Sequence, residues 1–196
     1  LDRYYPEKED TVDDIVAELG DIEVEEDEVP DEPDLVMNNT IYINQSQVTA
    51  DLYTTMAHEG FPGHLYQNVY TSSQNLPLIR NLFSNQGYSE GWATYVEYYA
   101  YGIGGLDEDL AGILTLNNAA TLGIYAYVDM GVHYLGWGVE DVKNYLGRYG
   151  LNAEAAQPMF EIMVEEPANY LSYFIGYMEF LNLQEKEMHH IFQKNL

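Results

Sequence analysis

The sequence predicts a mainly α-helical domain with one short β-strand, and three observations lead to this class. Most of the chain after residue 45 shows the apolar spacing of amphipathic helices, and glycines end several of these stretches. One short stretch, "TIYI" at 40–43, is rich in β-forming residues. Hydrophobic residues make up 46% of the 196 residues, a fraction typical of a folded globular domain.

The predicted elements begin with the strand at 40–43, which lies between asparagine-rich ends. A helix is predicted over 48–59, and its last residues are His58 and Glu59. The next clear helical pattern covers 88–102, where Gly102 is the expected stop. The strand is therefore expected to lie directly before a helix that ends in two chemically active side chains.

The second half of the chain is predicted to be helical throughout. Residues 107–137 indicate one long helix or two consecutive ones, with Asp107 as the natural N-cap and Gly136 as the stop. A further amphipathic helix is expected after Pro167. No closing element follows this helix, so we expect the chain to be the C-terminal part of a larger protein.

The charge of the chain restricts its partners. Residues 1–34 carry 16 acidic and 2 basic residues, a net charge of −14, within a total of −26. Such a charge excludes nucleic acid as a partner. No apolar run reaches the length of a membrane span, and no signal peptide is visible, so cytoplasm, cell envelope and exterior all stay open. We interpret residues 1–38 as an acidic segment or linker.

The stretch "HEGFPGH" is the strongest chemical signal in the sequence. The chain has no cysteine, so a metal site must use His, Asp and Glu. His58 and His64 are six residues apart, which on a regular helix leaves them about 120° from a common face. Pro62 and the two glycines predict that the helix breaks there and bulges outward. That bulge would return both histidines to one metal ion, with Glu59 beside them.

A third ligand is expected from "SEGWATYVE". Zinc sites in hydrolases use three protein ligands and leave one position for water, and Glu90 is the best remaining donor. Taken alone, Glu90 could equally be an exposed or helix-capping carboxylate. Glu97 lies seven residues later on the same helix face, roughly 10 Å along the axis. It is therefore expected to accept a hydrogen bond from a ligand histidine rather than to bind the metal.

These motifs resemble a known family. "HEGFPGH…SEGWATYVE" is similar to the H-E-x-x-P-G-H and E-G-W-A pattern of the bacterial domain of unknown function 885, which is regarded as a family of gluzincin-type zinc peptidases. The resemblance runs from about Asn39 to the C-terminus. It implies that 39–196 is a zinc-peptidase-like catalytic domain, helical and gluzincin-like, and incomplete. It also implies Zn²⁺ as the cofactor and a peptide as the substrate.

Further residues take roles from this resemblance. The "YLSYF" helix is similar to that of angiotensin-converting-enzyme-like peptidases, which implies that Tyr173 donates a hydrogen bond to the tetrahedral intermediate and that Tyr170 contacts substrate. The "D-x-G-x-H" motif places Asp129 one turn before His133. The pair is either a buried hydrogen bond or a supporting acid behind a second catalytic electrophile. Arg80 is a weaker candidate for binding a substrate carboxylate.

The expected reaction is hydrolysis of a peptide bond by a zinc-activated water, with Glu59 as the general base and the edge of the short strand aligning an extended peptide. Two other functions stay open at this stage. One is a non-catalytic binding or scaffold domain with a structural or vestigial metal site. The other is a metal-dependent hydrolase of non-peptide amides or esters, because nothing in the sequence identifies the scissile bond.

Overall fold

The computed structural model describes residues 35–37, 40–42, 52–83 and 85–194 and is mainly helical, which confirms the mainly α-helical part of the predicted class. Most of the acidic segment lies outside these residues. In chain order the elements are β1 (Leu35–Met37), β2 (Thr40–Tyr42), α1 (Leu52–Glu59), α2 (His64–Ser73), α3 (Leu78–Leu82), α4 (Gln86–Ile103), α5 (Glu108–Leu135), α6 (Val139–Arg148), a 3-10 turn (Ala153–Ala155), α7 (Ala156–Glu165) and α8 (Asn169–Lys194). None of the described helices is both long and apolar enough to cross a membrane.

The two short strands form an antiparallel pair in which Val36 lies opposite Ile41. The Ile41 side chain is fully buried. It also lies only 2.7 Å from the position that a Cβ on Gly60 would occupy, so it packs against the backbone just after α1. The strand pair is thus in contact with the segment that joins the two predicted histidines.

The ends of α4 and α5 follow from local capping. The Asn85 side chain accepts a hydrogen bond from the backbone N–H of Tyr88 at 3.0 Å and starts α4. The prediction that Gly102 ends this helix is wrong, because α4 continues to Ile103 and Gly104 is the C-cap. Gly102 lies inside the last turn of α4 on an open face, where a side chain would meet nothing within 4 Å.

Residues 108–135 form a single helix, α5, which settles the choice between one helix and two. Asp107 Oδ1 accepts hydrogen bonds from the backbone N–H groups of Asp109 and Leu110, at 3.1 and 3.3 Å. Gly136 ends the helix with φ of +72°, a left-handed conformation that suits glycine. Both predicted caps are confirmed.

Helices α4 and α8 cross with their backbones in contact. A Cβ on Gly91 would collide with the backbone of Gly176, and a Cβ on Gly176 would collide with the carbonyl oxygen of Gly87. Gly91 and Gly176 therefore allow a separation that no other residue would permit at these positions. This crossing brings the N-terminal part of α4, which carries Glu90, against the N-terminal part of α8, which carries Tyr173.

The apolar core has two parts. One joins α4, α5 and α8 through Tyr98, Tyr101, Ala111 and Tyr177. Tyr177 is buried and packs edge-on against Tyr98, with ring centroids 5.0 Å apart. The other part joins the C-terminal half of α5 to α6 and α7 around Val128, Val142, Leu146, Ala156 and Met163.

Candidate metal centre

The helix breaks between Glu59 and His64, as the sequence predicts. Helix α1 ends at Glu59, α2 begins at His64, and the Phe61–Pro62 peptide between them is cis. A Cβ on Gly63 would collide with the backbone carbonyl of His58, so the close turn of this bulge requires glycine. The indole Nε1–H of Trp92 donates to the carbonyl oxygen of Pro62 at 2.7 Å and fixes the bulge to α4.

The bulge brings both histidines and the α4 carboxylate to one point. One ligand atom from each of His58, His64 and Glu90 lies within 4.8 Å of the others. Oε2 of Glu90 lies 3.7 Å from Nε2 of His58 and 3.4 Å from Nε2 of His64. The two imidazole rings meet edge-on, with centroids 4.9 Å apart. Three donor atoms from α1, α2 and α4 therefore face one small space.

The remaining ring nitrogens have partners outside this space. Nδ1 of His58 lies 2.9 Å from Oε2 of Glu97, to which it donates a hydrogen bond. Nδ1 of His64 lies 3.4 Å from Oγ of Ser89. With both Nδ1 atoms engaged, both Nε2 atoms point at Glu90 and are free to bind a metal. Glu97 thus contacts a histidine and not the shared space, and its role as support for a metal ligand stays a prediction.

The electrostatics of the metal-free cluster favour a positive charge at its centre. Burial lowers the pKa of His58, but hydrogen bonding and charge from Glu90 and Glu97 outweigh burial and raise it to about 9. Burial likewise raises the pKa of Glu90, and its contacts with His58 and His64 outweigh that effect and lower it to about 2. The carboxylates therefore hold a proton on His58 in the absence of a competing cation.

Two more predicted catalytic residues lie against the cluster. Oε1 of Glu59 is 4.0 Å from Nε2 of His58. The ring of Tyr173 lies nearly parallel to that of His58, with centroids 6.4 Å apart, and the Glu90 carboxylate is near its hydroxyl. Burial and the Glu90 carboxylate raise the pKa of Tyr173 well above its usual range, so its hydroxyl keeps its proton.

The donor set fits zinc. Ligands at about 2.0–2.1 Å in a tetrahedral arrangement lie about 3.4 Å apart. The two nitrogen–oxygen separations at Glu90, 3.4 and 3.7 Å, are close to that value without rearrangement. Oε2 of Glu90 is also buried and has no hydrogen-bond partner, which is costly for a carboxylate oxygen unless a cation compensates it. Two imidazoles and one carboxylate are the ligand types that zinc accepts in open sites.

Comparison with known proteins identifies the family. Residues 30–190 match the family described as bacterial protein of unknown function, DUF885. The chain belongs to that family. A solved structure described as the "putative lipoprotein from Colwellia psychrerythraea" is similar to the DUF885 chain, with 29% sequence identity and a TM-score of 0.58. The similarity covers 75% of this chain and 26% of that protein, so the chain spans about a quarter of its relative. Among curated proteins, none matches.

The DUF885 chain does not bring His133 and Asp129 to the cluster. Nε2 of His133 lies 2.7 Å from the carbonyl oxygen of Met163 on α7, and 3.7 Å from Oδ1 of Asp129. Asp129 is buried, and its Oδ1 accepts a hydrogen bond from the backbone N–H of Ala168, just before α8. In these contacts the two residues join α5 to the α7–α8 connection, and their catalytic and supporting roles stay predictions.

Two predicted substrate contacts have different surroundings. Arg80 is exposed on α3 and lines a cavity of about 640 Å³ together with Gln67 and Ser89, behind His64. Tyr170 lies one turn before Tyr173 on α8, and its ring packs against Tyr125 with centroids 4.8 Å apart. Both placements leave the substrate roles as predictions.

Two residues that support the site were not singled out from the sequence. Ser89 precedes Glu90 and contacts His64, and Trp92 follows it and holds the Pro62 carbonyl. Both belong to "SEGWATYVE", so their place in the motif that supplies Glu90 was the signal that could have identified them. Their partners lie 25 and 30 residues earlier in the chain, and only the folded bulge brings them together.

Proposed function

We propose that this protein is a gluzincin-type zinc hydrolase that cleaves peptide bonds. The observation that carries the proposal is the convergence of His58, His64 and Glu90 on one buried carboxylate oxygen that has no hydrogen-bond partner. These three side chains would hold the metal through Nε2, Nε2 and Oε2. Glu59 is the last residue of α1, and its carboxylate lies beside the first of these histidines, His58.

Zinc, when bound, supplies a Lewis acid that lowers the pKa of water to near neutrality and polarises a carbonyl. Glu59 then acts as the general base: one of its carboxylate oxygens takes the proton of the attacking water and delivers it to the leaving amine. Its position next to His58, without being one of the three donors, is the position this role requires.

Tyr173 acts as a hydrogen-bond donor to the oxygen that gains negative charge when the carbonyl is attacked. Its hydroxyl stays protonated, because burial and Glu90 raise its pKa. The hydroxyl would then donate its hydrogen bond to the substrate oxygen. Glu97 keeps His58 oriented throughout by accepting the Nδ1 proton.

The strand pair gives an extended peptide a place to bind. Strand β2 pairs with β1, and its Ile41 packs against Gly60 in the bulge beside the site. A peptide that adds to the edge of β2 opposite β1, which has no strand partner among the described residues, would be held near the bulge by backbone hydrogen bonds. Backbone recognition of this kind supports a peptide substrate over a small amide or ester.

Glu59→Gln tests the proposal. The amide keeps the size of the side chain but cannot take a proton, so we expect zinc content to stay near one per chain and peptide hydrolysis to fall at least about a hundredfold. Chelator treatment should abolish hydrolysis by the unmodified chain, and added zinc should restore it. Glu187→Gln, an exposed change near the end of α8, is the matched control and should change neither quantity.

Three results would count against this function. Undiminished peptide hydrolysis by Glu59→Gln would show that Glu59 is not the general base. Four protein ligands around the metal, with no open position, would make the site structural. Hydrolysis of ester or non-peptide amide substrates, with no cleavage of any peptide in a mixed library, would assign the same centre to another class of hydrolase.

A further inference from the structure

A second cavity adjoins the candidate metal centre. It has a volume of about 420 Å³ and lies between α4, α5 and the start of α8. Glu97 belongs to both places, because it lines the cavity and accepts the hydrogen bond from His58. Tyr170 lines the cavity as well, one turn before Tyr173 on the same helix. A substrate group in this cavity would therefore lie next to the helix face that supports the first proposed metal ligand, His58.

The lining of this cavity is aromatic and negatively charged. Four tyrosine rings contribute to it, those of Tyr98, Tyr101, Tyr125 and Tyr170. Of the described residues that line it, Glu97 is the one acidic side chain, and none is basic. The Glu97 side chain is 26% exposed, so its carboxylate can be reached from the cavity while it accepts the hydrogen bond from His58.

This chemistry selects among the groups that could occupy the cavity. An anion would be repelled by Glu97. An apolar side chain would cover the carboxylate without giving it a partner, which is unfavourable. An ammonium or guanidinium group gives Glu97 an opposite charge and places a cation against tyrosine faces. The net charge of −26 further favours the approach of cationic molecules.

We infer that the tyrosine cavity is the specificity site of this enzyme and binds a cationic group of the substrate, either a Lys or Arg side chain or a free amino terminus. The inference rests on the proposed peptide hydrolysis and adds the substrate class. Glu97 has two tasks in this scheme: one oxygen orients His58, and the carboxylate charge attracts the substrate cation.

Thr121 offers a way to test the charge of the cavity without touching the metal centre. It lies on α5 at the exposed rim, and its hydroxyl donates to the carbonyl oxygen of Asn117 in its own helix at 2.9 Å. Replacing it therefore removes no contact between helices. Leu116→Lys adds the same positive charge to an exposed position of α5 that does not line the cavity, and is the matched control.

The experiment uses the zinc-loaded full chain and acetyl-capped peptides that differ at one position, with lysine, norleucine or glutamate. We expect kcat/KM to be highest for the lysine peptide and lowest for the glutamate peptide. Thr121→Lys should reduce the preference for lysine over norleucine about tenfold, Thr121→Glu should increase it, and Leu116→Lys should leave it unchanged. An uncapped norleucine peptide that is cleaved as well as the capped lysine peptide would identify the free amino terminus as the cation.

The outcomes separate this inference from the proposed function. Chelator-sensitive cleavage with equal rates for lysine and norleucine peptides, unaffected by Thr121→Lys, would overturn the inference and leave the function standing. If no peptide is cleaved, calorimetry with the zinc-loaded Glu59→Gln variant decides. Tighter binding of the lysine peptide than of the norleucine peptide, weakened by Thr121→Lys, would support the cation site, and equal binding would overturn it.

Discussion

His58 is the residue on which the candidate centre depends most. One of its ring nitrogens faces Glu90, and the other donates to Glu97 at 2.9 Å. The hydrogen bond to Glu97 fixes both the orientation of the ring and the tautomer that leaves Nε2 free. The charge of Glu97 also makes Nε2 of His58 a stronger donor to a metal.

Glu97→Gln should weaken zinc binding about 10- to 100-fold, because an amide in this position can still accept the hydrogen bond but has lost its charge. Competition with a chelator of known affinity measures the change. Glu161→Gln is the control: this carboxylate is exposed on α7, and its replacement should leave zinc affinity unchanged. Equal zinc affinity in the Glu97→Gln and unmodified proteins would show that the hydrogen bond supports only the fold.

At the scale of elements, the crossing of α4 and α8 determines the distance between Glu90 and Tyr173. Gly91 follows Glu90 directly, and Gly176 lies three residues after Tyr173. The two glycines meet backbone to backbone, so any side chain at either position would push the helices apart. The close contact of the Tyr173 hydroxyl with Glu90 therefore depends on residues that do not touch a substrate.

Gly91→Ala should destabilise the fold by about 1–3 kcal/mol, since the new methyl group collides with the Gly176 backbone. Gly102→Ala, in the same helix, meets nothing within 4 Å and should instead stabilise the fold by up to about 1 kcal/mol. Urea unfolding measures both. Hydrolysis should fall in Gly91→Ala alone, and equal stability of the two variants would contradict this account of the crossing.

The elements that the sequence predicted well are those with local causes. Asp107 and Gly136 bound α5 because an N-cap and a left-handed stop act within one turn. The break before His64 was predictable because Pro62 excludes a continuous helix. The Gly91–Gly176 contact was not predictable, since it joins positions 85 residues apart and leaves no periodic signal.

The same distinction applies within the candidate site. His58, His64 and Glu90 could be proposed together because residue type and spacing restrict metal ligands. The role of His133 could not be predicted in this way, because a histidine one turn from an aspartate fits a catalytic pair and a structural link equally well. Its contact with the carbonyl oxygen of Met163, 30 residues later, has no signal in the sequence.

At the scale of the whole molecule, the candidate metal centre lies where the short helices α1 and α2 meet α4, which itself packs backbone to backbone against α8. Its three proposed ligands come from α1, α2 and α4, and Tyr173 adds α8. Short helices such as α1 and α2, with 8 and 10 residues, gain little stability by themselves and depend on packing or ligands. The second core region, around α6 and α7, uses its own apolar residues and is independent of the metal.

Zinc should therefore stabilise the whole fold, and removing it should lower Tm. At a free zinc concentration of about 100 times Kd, binding stabilises the native state by about 2.7 kcal/mol. For a chain of this size, that corresponds to a shift of about 5–10 °C in Tm. Calorimetry with and without chelator measures the shift. Glu90→Ala should abolish it by removing the ligand, whereas Glu187→Gln should retain it. A Tm that is the same with and without zinc, in a protein shown to bind one equivalent, would mean that the unfolded chain binds zinc as tightly as the folded chain, and would contradict a site built by the fold.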